Sequence, residues 1–191
     1  MTQPGPYDGG TQDDRIAELL RFVPLLRESQ QADCQVANKV AAAGNRLLRV
    51  LRPGYQMRFY KYSRGFNVVD CAVARPLRPD LIGEEIIELG QVNGLGEAKE
   101  GMLVQKSGRT SGVTSGEVTA LSVTLQVDLS EEEKGWFSDQ VVADLLSKPG
   151  DSGSLILDEE NRAVGLLFAG SDSHCIFNRI HNVLEALEVE L

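Results

Sequence analysis

The five residues Gly150-Asp151-Ser152-Gly153-Ser154, directly ahead of the apolar run Leu155-Ile156-Leu157, constrain this chain more than any other feature. Glycines on either side let the backbone turn sharply, present Ser152 at the apex and aim the amides of Gly150 and Ser152 at one point. Such a turn suits attack on a carbonyl, because an accessible hydroxyl then lies beside donors already in place for the anion that forms. The same residue types dominate ordinary hairpin turns, which gives the motif a plain structural reading as well. The residues downstream of Ser154 favour the chemical reading. A turn at Glu159-Glu160-Asn161-Arg162 leads into Ala163-Val164-Gly165-Leu166-Leu167-Phe168-Ala169-Gly170-Ser171, which reads as a buried strand returning from a hairpin.

This order of turn, strand, turn and strand resembles the trypsin-like serine peptidases. A second segment, Lys106-Ser107-Gly108-Arg109-Thr110-Ser111-Gly112-Val113-Thr114-Ser115-Gly116-Glu117-Val118, is similar to the strand-turn-strand that opens the second barrel in bacterial members and in the plant narrow-leaf proteins related to them. The resemblance runs from about residue 67 to the C-terminus. It implies a mainly β, chymotrypsin-like double β-barrel and a serine endopeptidase acting on peptide or protein substrates through an acyl-enzyme. In that reading Ser152 is the nucleophile and the amides of Gly150 and Ser152 form the oxyanion hole. Phe168, Ala169 and Gly170 are the substrate-binding strand. Asp70, within Phe66-Asn67-Val68-Val69-Asp70-Cys71-Ala72-Val73-Ala74, is similar to the family's aspartate, which orients an imidazole. By its residue type alone Asp70 is equally a turn or cap residue.

The general base is where the sequence departs from the family. The two histidines, His174 and His181, both come after Ser152, whereas the resemblance implies one ahead of Asp70. An α/β-hydrolase elbow does not fit instead: it needs glycine two places after the serine, where Ser154 stands, and more βαβ units than 39 remaining residues can supply. His174 reads as a turn or strand-start residue and His181 as a helix-start residue. Residues 2–10 resemble an internal loop that comes after the histidine-bearing segment in bacterial members, so Met1 is expected to start inside the domain and the chain to be inactive as encoded. The alternative is a catalytically dead trypsin-like module that binds peptides or partner proteins beside residues 168–170.

A chain of 191 residues with 42% hydrophobic residues can bury a substantial core. Nineteen basic against 28 acidic residues give a net charge of -9, which argues against nucleic acid and anionic membrane as partners. The acidic clusters Glu131-Glu132-Glu133 and Glu84, Glu85 and Glu88 read as solvated faces. Cys34, Cys71 and Cys175 are odd in number and form no CxxC pair, so neither a disulfide framework nor a metal is expected, and no cofactor. With no signal-peptide pattern and no apolar run of 18 residues, the expected compartment is the cytoplasm.

The first third reads as helical. Thr11-Gln12-Asp13-Asp14 resembles a capping box, and Ile16, Leu19, Leu20 and Val23 come next at helical spacing. A second helix is expected across about residues 32–49, with Val36, Val40, Ala43, Leu47 and Val50 on one face, as a cap on the first barrel or over the site, or as cover for an exposed sheet. Strands are expected near 101–107, 114–128, 138–144, 153–158, 162–171 and 174–178, with a short closing helix carrying Ile180, Val183, Leu184 and Leu187. The expected domains are a partial first barrel with a helical insertion at 1–98 and a complete second barrel at 99–191. An incomplete barrel leaves a sheet edge, so self-association or capture of a strand-donating partner is expected around residues 58–74.

Overall fold

The computed structural model describes residues 1–3, 5, 9–130 and 133–191. Pro4, Pro6, Tyr7 and Asp8 of the N-terminal loop, and Glu131 and Glu132 of the acidic cluster, lie outside the described residues. In chain order the elements are β1 (Ala17–Phe22), β2 (Ser29–Gln31), α1 (Gln35–Leu51), β3 (Tyr60–Tyr62), β4 (Ala72–Pro76), β5 (Glu85–Ile86), β6 (Gly90–Gln91), β7 (Leu103–Gly108), β8 (Gly112–Asp128), β9 (Lys134–Ala143), β10 (Leu155–Asp158), β11 (Ala163–Gly170), β12 (Cys175–Arg179) and α2 (Ile180–Leu187). They form two compact units. One comprises Met1–Pro24, Val68–Leu125 and Phe137–Leu191, the other Leu25–Asn67 and Gln126–Trp136.

The first unit contains a closed six-strand barrel in the order β10-β11-β12-β9-β8-β7. All six strands lie where period-two alternation and turn residues place them. Along β7 the alternation buries Val104, Lys106 and Gly108 and turns Leu103 outward. Val104, Val118, Val141, Ala143, Leu145, Ile156, Val164, Leu167, Cys175 and Phe177 fill the interior. Gly165 is dictated by packing there, because a Cβ at that position would run into the Phe177 ring. Helix α2 buries Ile180, Val183 and Leu187, the stripe its sequence spacing predicts. Val183 and Leu187 pack with Val69 and Cys71, which anchors the segment carrying Asp70.

Ahead of β7, the strands among the described residues pair as two-stranded sheets: β1 with β4 and β5 with β6 in the first unit, and β2 with β3 in the second. The first predicted helix is corrected. Thr11 and Asp14 do form a capping box, but it caps only a single 3-10 turn at Gln12–Asp14. The chain then extends as β1, pairing Ala17 with Pro76 and Phe22 with Ala72 on β4. Ile16, Leu19, Leu20 and Val23 therefore belong to an extended segment: antiparallel pairing overrides a local helical period in so short a stretch.

In the second unit α1 forms as expected, but its expected burial is corrected. None of its residues is buried. It leans on the side carrying Ala37, Ala41, Gly44 and Leu48, where Asn45 Oδ1 accepts from the Met57 amide at 2.7 Å and Asn45 Nδ2 donates to the Met57 carbonyl at 3.0 Å. The stripe Val36, Val40, Ala43, Leu47 and Val50 faces solvent.

Candidate active site

Ser152 stands on the turn between β9 and β10, flanked by Gly150 at φ +102° and Gly153 at φ +90°. Both glycines occupy the left-handed region that side chains rarely adopt, and a Cβ on Gly150 would also collide with Thr110 Oγ1. The turn is pinned on its far side: Gly153 N–H donates to the Leu167 carbonyl at 2.8 Å and Leu167 N–H to the Ser154 carbonyl at 3.0 Å. The amides of Gly150 and Ser152 donate to no acceptor among the described residues. They are the two donors that the motif assigns to an oxyanion hole.

The group that holds this turn has no role in the motif reading. Asp151 is fully buried, and its carboxylate accepts from Ser111 Oγ at 2.6 Å, from the amides of Thr110, Lys148 and Ser111 at 2.8, 3.0 and 3.1 Å, and from Lys106 Nζ at 3.1 Å. Lys106 is also fully buried and donates to Ser111 Oγ at 2.6 Å. Burial alone would raise the Asp151 pKa, but the bonds from the Ser111 hydroxyl and the three amides outweigh it and hold the carboxyl far below the usual range. Gly108 is required beside the pair, since a Cβ there would strike the Asp151 carboxylate. The sequence does hold a signal for this anchor. Alternation along β7 points Lys106 inward with Val104, and an inward lysine needs a buried counter-charge.

The predicted substrate-binding residues lie at the emerging end of β11. Phe168 and Ala169 are half-buried and Gly170 is exposed. The register between β11 and β12 slips between Leu167 and Ala169, and within this irregularity the Phe168 carbonyl accepts the Ser152 hydroxyl at 3.3 Å. The Phe168 ring stacks on Phe137 with centroids 4.8 Å apart. A Cβ on Gly170 would press on Ser147 and on the His174 carbonyl, so the strand end and the loop ahead of Ser152 are closely packed.

Asp70 immediately precedes the Cys71-Ala72 entry to β4. Its amide donates to Asn178 Oδ1 at 2.9 Å, Asn178 Nδ2 donates to Gln140 Oε1 at 2.7 Å, and Gln140 Nε2 donates to the Val68 carbonyl at 2.8 Å. Asn178 and Gln140 are fully buried, so this network fixes the Asp70 backbone on β9 and β12. The carboxylate itself makes no hydrogen bond among the described residues, and partial burial raises its pKa. An ionised Asp70 is therefore a cost to the fold: none below the unfolded pKa near 3.8, growing as pH rises through the folded pKa. Asp70→Asn is expected to raise the melting temperature at pH 7, with the difference vanishing below about pH 3.8 in a pH series of thermal melts.

His174 is exposed at the head of β12, its Nδ1 2.8 Å from Ser173 Oγ, and His181 is exposed on the first turn of α2. Neither bonds to Ser152. Burial pushes the thiols of Cys71 and Cys175 up to about 11 and about 12, which makes them inert packing groups. Among the described residues no cluster of His, Cys, Asp and Glu could hold a metal.

Comparison with known proteins bears on the fold. No family profile matches the chain. The chain is 36% identical over 80 residues to Serine protease 2 of Streptomyces fradiae. That match covers 42% of this chain and 43% of the relative, so it spans less than half the length of the curated protein. Among solved structures, Nocardiopsis protease superposes with a TM-score of 0.55 at 20% identity, covering 70% of this chain and 73% of that one. Cellulomonas bogoriensis chymotrypsin gives 0.52 at 24% identity, covering 73% and 76%. Thermobifida fusca protease A gives 0.54 at 21%, covering 66% and 70%. The chain has the chymotrypsin-like fold. The resemblance to the trypsin-like serine proteases read from its motifs is borne out.

Proposed function

We propose that this chain carries the serine half of a trypsin-like serine endopeptidase site. The observation that carries the reading is the turn at Ser152, with an exposed hydroxyl, two unengaged amides beside it and a buried carboxylate beneath it that locks the backbone in place. In this reading Ser152 Oγ attacks the carbonyl carbon of a peptide while an imidazole takes its proton. The amides of Gly150 and Ser152 hold the oxyanion of the tetrahedral intermediate. Collapse of that intermediate expels the amine, which takes the proton from the imidazolium and leaves an acyl-Ser152 ester for water to hydrolyse. Phe168, Ala169 and Gly170 lie beside the substrate. Asp70, backbone-fixed and with its carboxylate unbonded, orients the imidazole.

That imidazole is supplied by neither His174 nor His181 in this reading, because both are exposed and neither bonds to Ser152. The proposal therefore places the base outside the 191 residues and expects the chain by itself to lack serine-dependent turnover. Purified wild type and Ser152→Ala should cleave an unstructured protein substrate at indistinguishable rates, since a site without its base retains only about 10³ to 10⁴-fold catalysis over water. Turnover that depends on Ser152 would return one of the two histidines to the mechanism. The bond from Ser152 Oγ to the Phe168 carbonyl and the unbonded Asp70 carboxylate also suit the second reading, a non-catalytic module that takes peptides along 168–170. Peptide binding by the Ser152→Ala chain, unchanged when a histidine-bearing segment is supplied, would favour it.

A further inference from the structure

Helix α1 is strongly amphipathic, yet its apolar stripe is uncovered: Val36, Leu47 and Val50 are 69%, 61% and 81% exposed. A stripe at steps of three and four normally marks a buried face. Exposed Tyr55, Phe59, Tyr60 and Tyr62 extend the apolar surface of the same unit. Lys39 and Arg46 border the stripe on the side away from Ala37, Ala41, Gly44 and Leu48, with Arg49 next to them and Arg52 at the C-terminal cap, and none of these four forms an ion pair among the described residues. The stretch Leu25–Asn67 holds eight basic and two acidic residues, a net charge of +6, which leaves -15 on the rest of the chain. The whole-chain charge of -9, which argued against a membrane partner, is thus not the charge this stretch presents. The unit's other stretch, Gln126–Trp136, holds four acidic residues and one lysine, which brings the unit as a whole to +3; within it Glu28 accepts from Gln126, Asp128 pairs with Lys134 and Glu133 pairs with Arg27.

We propose that α1 docks this chain onto anionic lipid bilayers, lying in the interface with Val36, Val40, Leu47, Val50 and Leu51 among the acyl chains and its cations at the headgroups. Three features choose this occupant. An uncovered apolar stripe flanked by cations is the pattern of interfacial helices, and amphipathic aromatic rings such as those of the neighbouring tyrosines favour headgroup depth. A second copy would bring two surfaces of the same positive sign together. No helix among the described residues is long and apolar enough to cross a membrane, so α1 would lie on the bilayer and not span it.

The test is sedimentation of the full chain with vesicles of phosphatidylcholine alone and of phosphatidylcholine with about one third phosphatidylserine, in low salt and at 0.5 M, where screening shortens the electrostatic reach to about 4 to 5 Å. Binding is expected to the anionic vesicles only and to fall at high salt. Each basic residue near an anionic leaflet strengthens binding about fivefold, so Arg46→Glu/Arg49→Glu should weaken it about 25-fold or more. Val40→Glu/Leu47→Glu should abolish it. Both pairs are exposed, so circular dichroism should show the fold retained. Absence of binding to anionic vesicles would overturn the proposal, as would equal binding to both vesicle types. So would a concentration-dependent dimer that Val40→Glu/Leu47→Glu dissolves, or retention on polyglutamate without vesicle binding, which would assign the face to a second copy or to an acidic protein.

Discussion

Lys106→Met is expected to remove about 3 to 5 kcal/mol of stability, measured by urea unfolding at pH 7, because it leaves the Asp151 carboxylate buried without its cation. Asp151 is fully buried and receives three backbone amides besides Lys106 and Ser111. Replacing both charges, Lys106→Met with Asp151→Leu, should recover only part of the loss, since the amides of Thr110, Ser111 and Lys148 then lose their acceptor. That contrast separates a simple ion pair, for which an apolar replacement is close to neutral, from an anchor for the nucleophile turn. The lowered pKa of Asp151 also sets a pH dependence. Its stabilisation is fully present above the unfolded carboxyl pKa near 3.8 and is lost as pH falls below that toward the folded value. Asp151→Asn should therefore flatten the acid limb of the stability profile while lowering stability at neutral pH.

In a product in which an upstream histidine is present and turnover is measurable, Asp70→Asn is expected to lower kcat by roughly 10⁴-fold with little change in KM, because an imidazole left in the wrong tautomer cannot take the serine proton. The same substitution is expected to stabilise the fold at neutral pH. Opposite signs for activity and stability would be hard to obtain from a turn or cap residue, whose removal costs stability. Asp70 carries a raised pKa and, among the described residues, no bond to its carboxylate, as a group held for a partner would.

The barrel is legible in the sequence because each strand announces itself locally. β7 to β12 alternate or run apolar between turn residues, and Gly150, Ser152 and Gly153 carry their geometry in their residue types. Residues 16–23 mislead because Ile16, Leu19, Leu20 and Val23 satisfy a helical period over fewer than three turns, and only the distant partner β4 decides their state. The Lys106–Asp151 anchor joins residues 45 apart in sequence, and no local pattern states that two inward charges meet. Asn178 and Gln140 escape notice for the same reason: their value lies in bonding Asp70 and Val68 from other strands. Helix α1 shows the opposite limit. Its period reads correctly, but a period reveals an apolar face without revealing what covers it.

Active-site labelling tests the assignment of the nucleophile most directly. The chain is expressed together with a supplied histidine-bearing segment, treated with a fluorophosphonate, and the modified residue located by peptide mass spectrometry. The expected result is a single adduct on Ser152, formed far more slowly in the Asp70→Asn variant and absent from Ser152→Ala. Labelling at a different serine, or an undiminished rate in the Asp70→Asn variant, would contradict the assignment of Ser152 and Asp70 to one catalytic site.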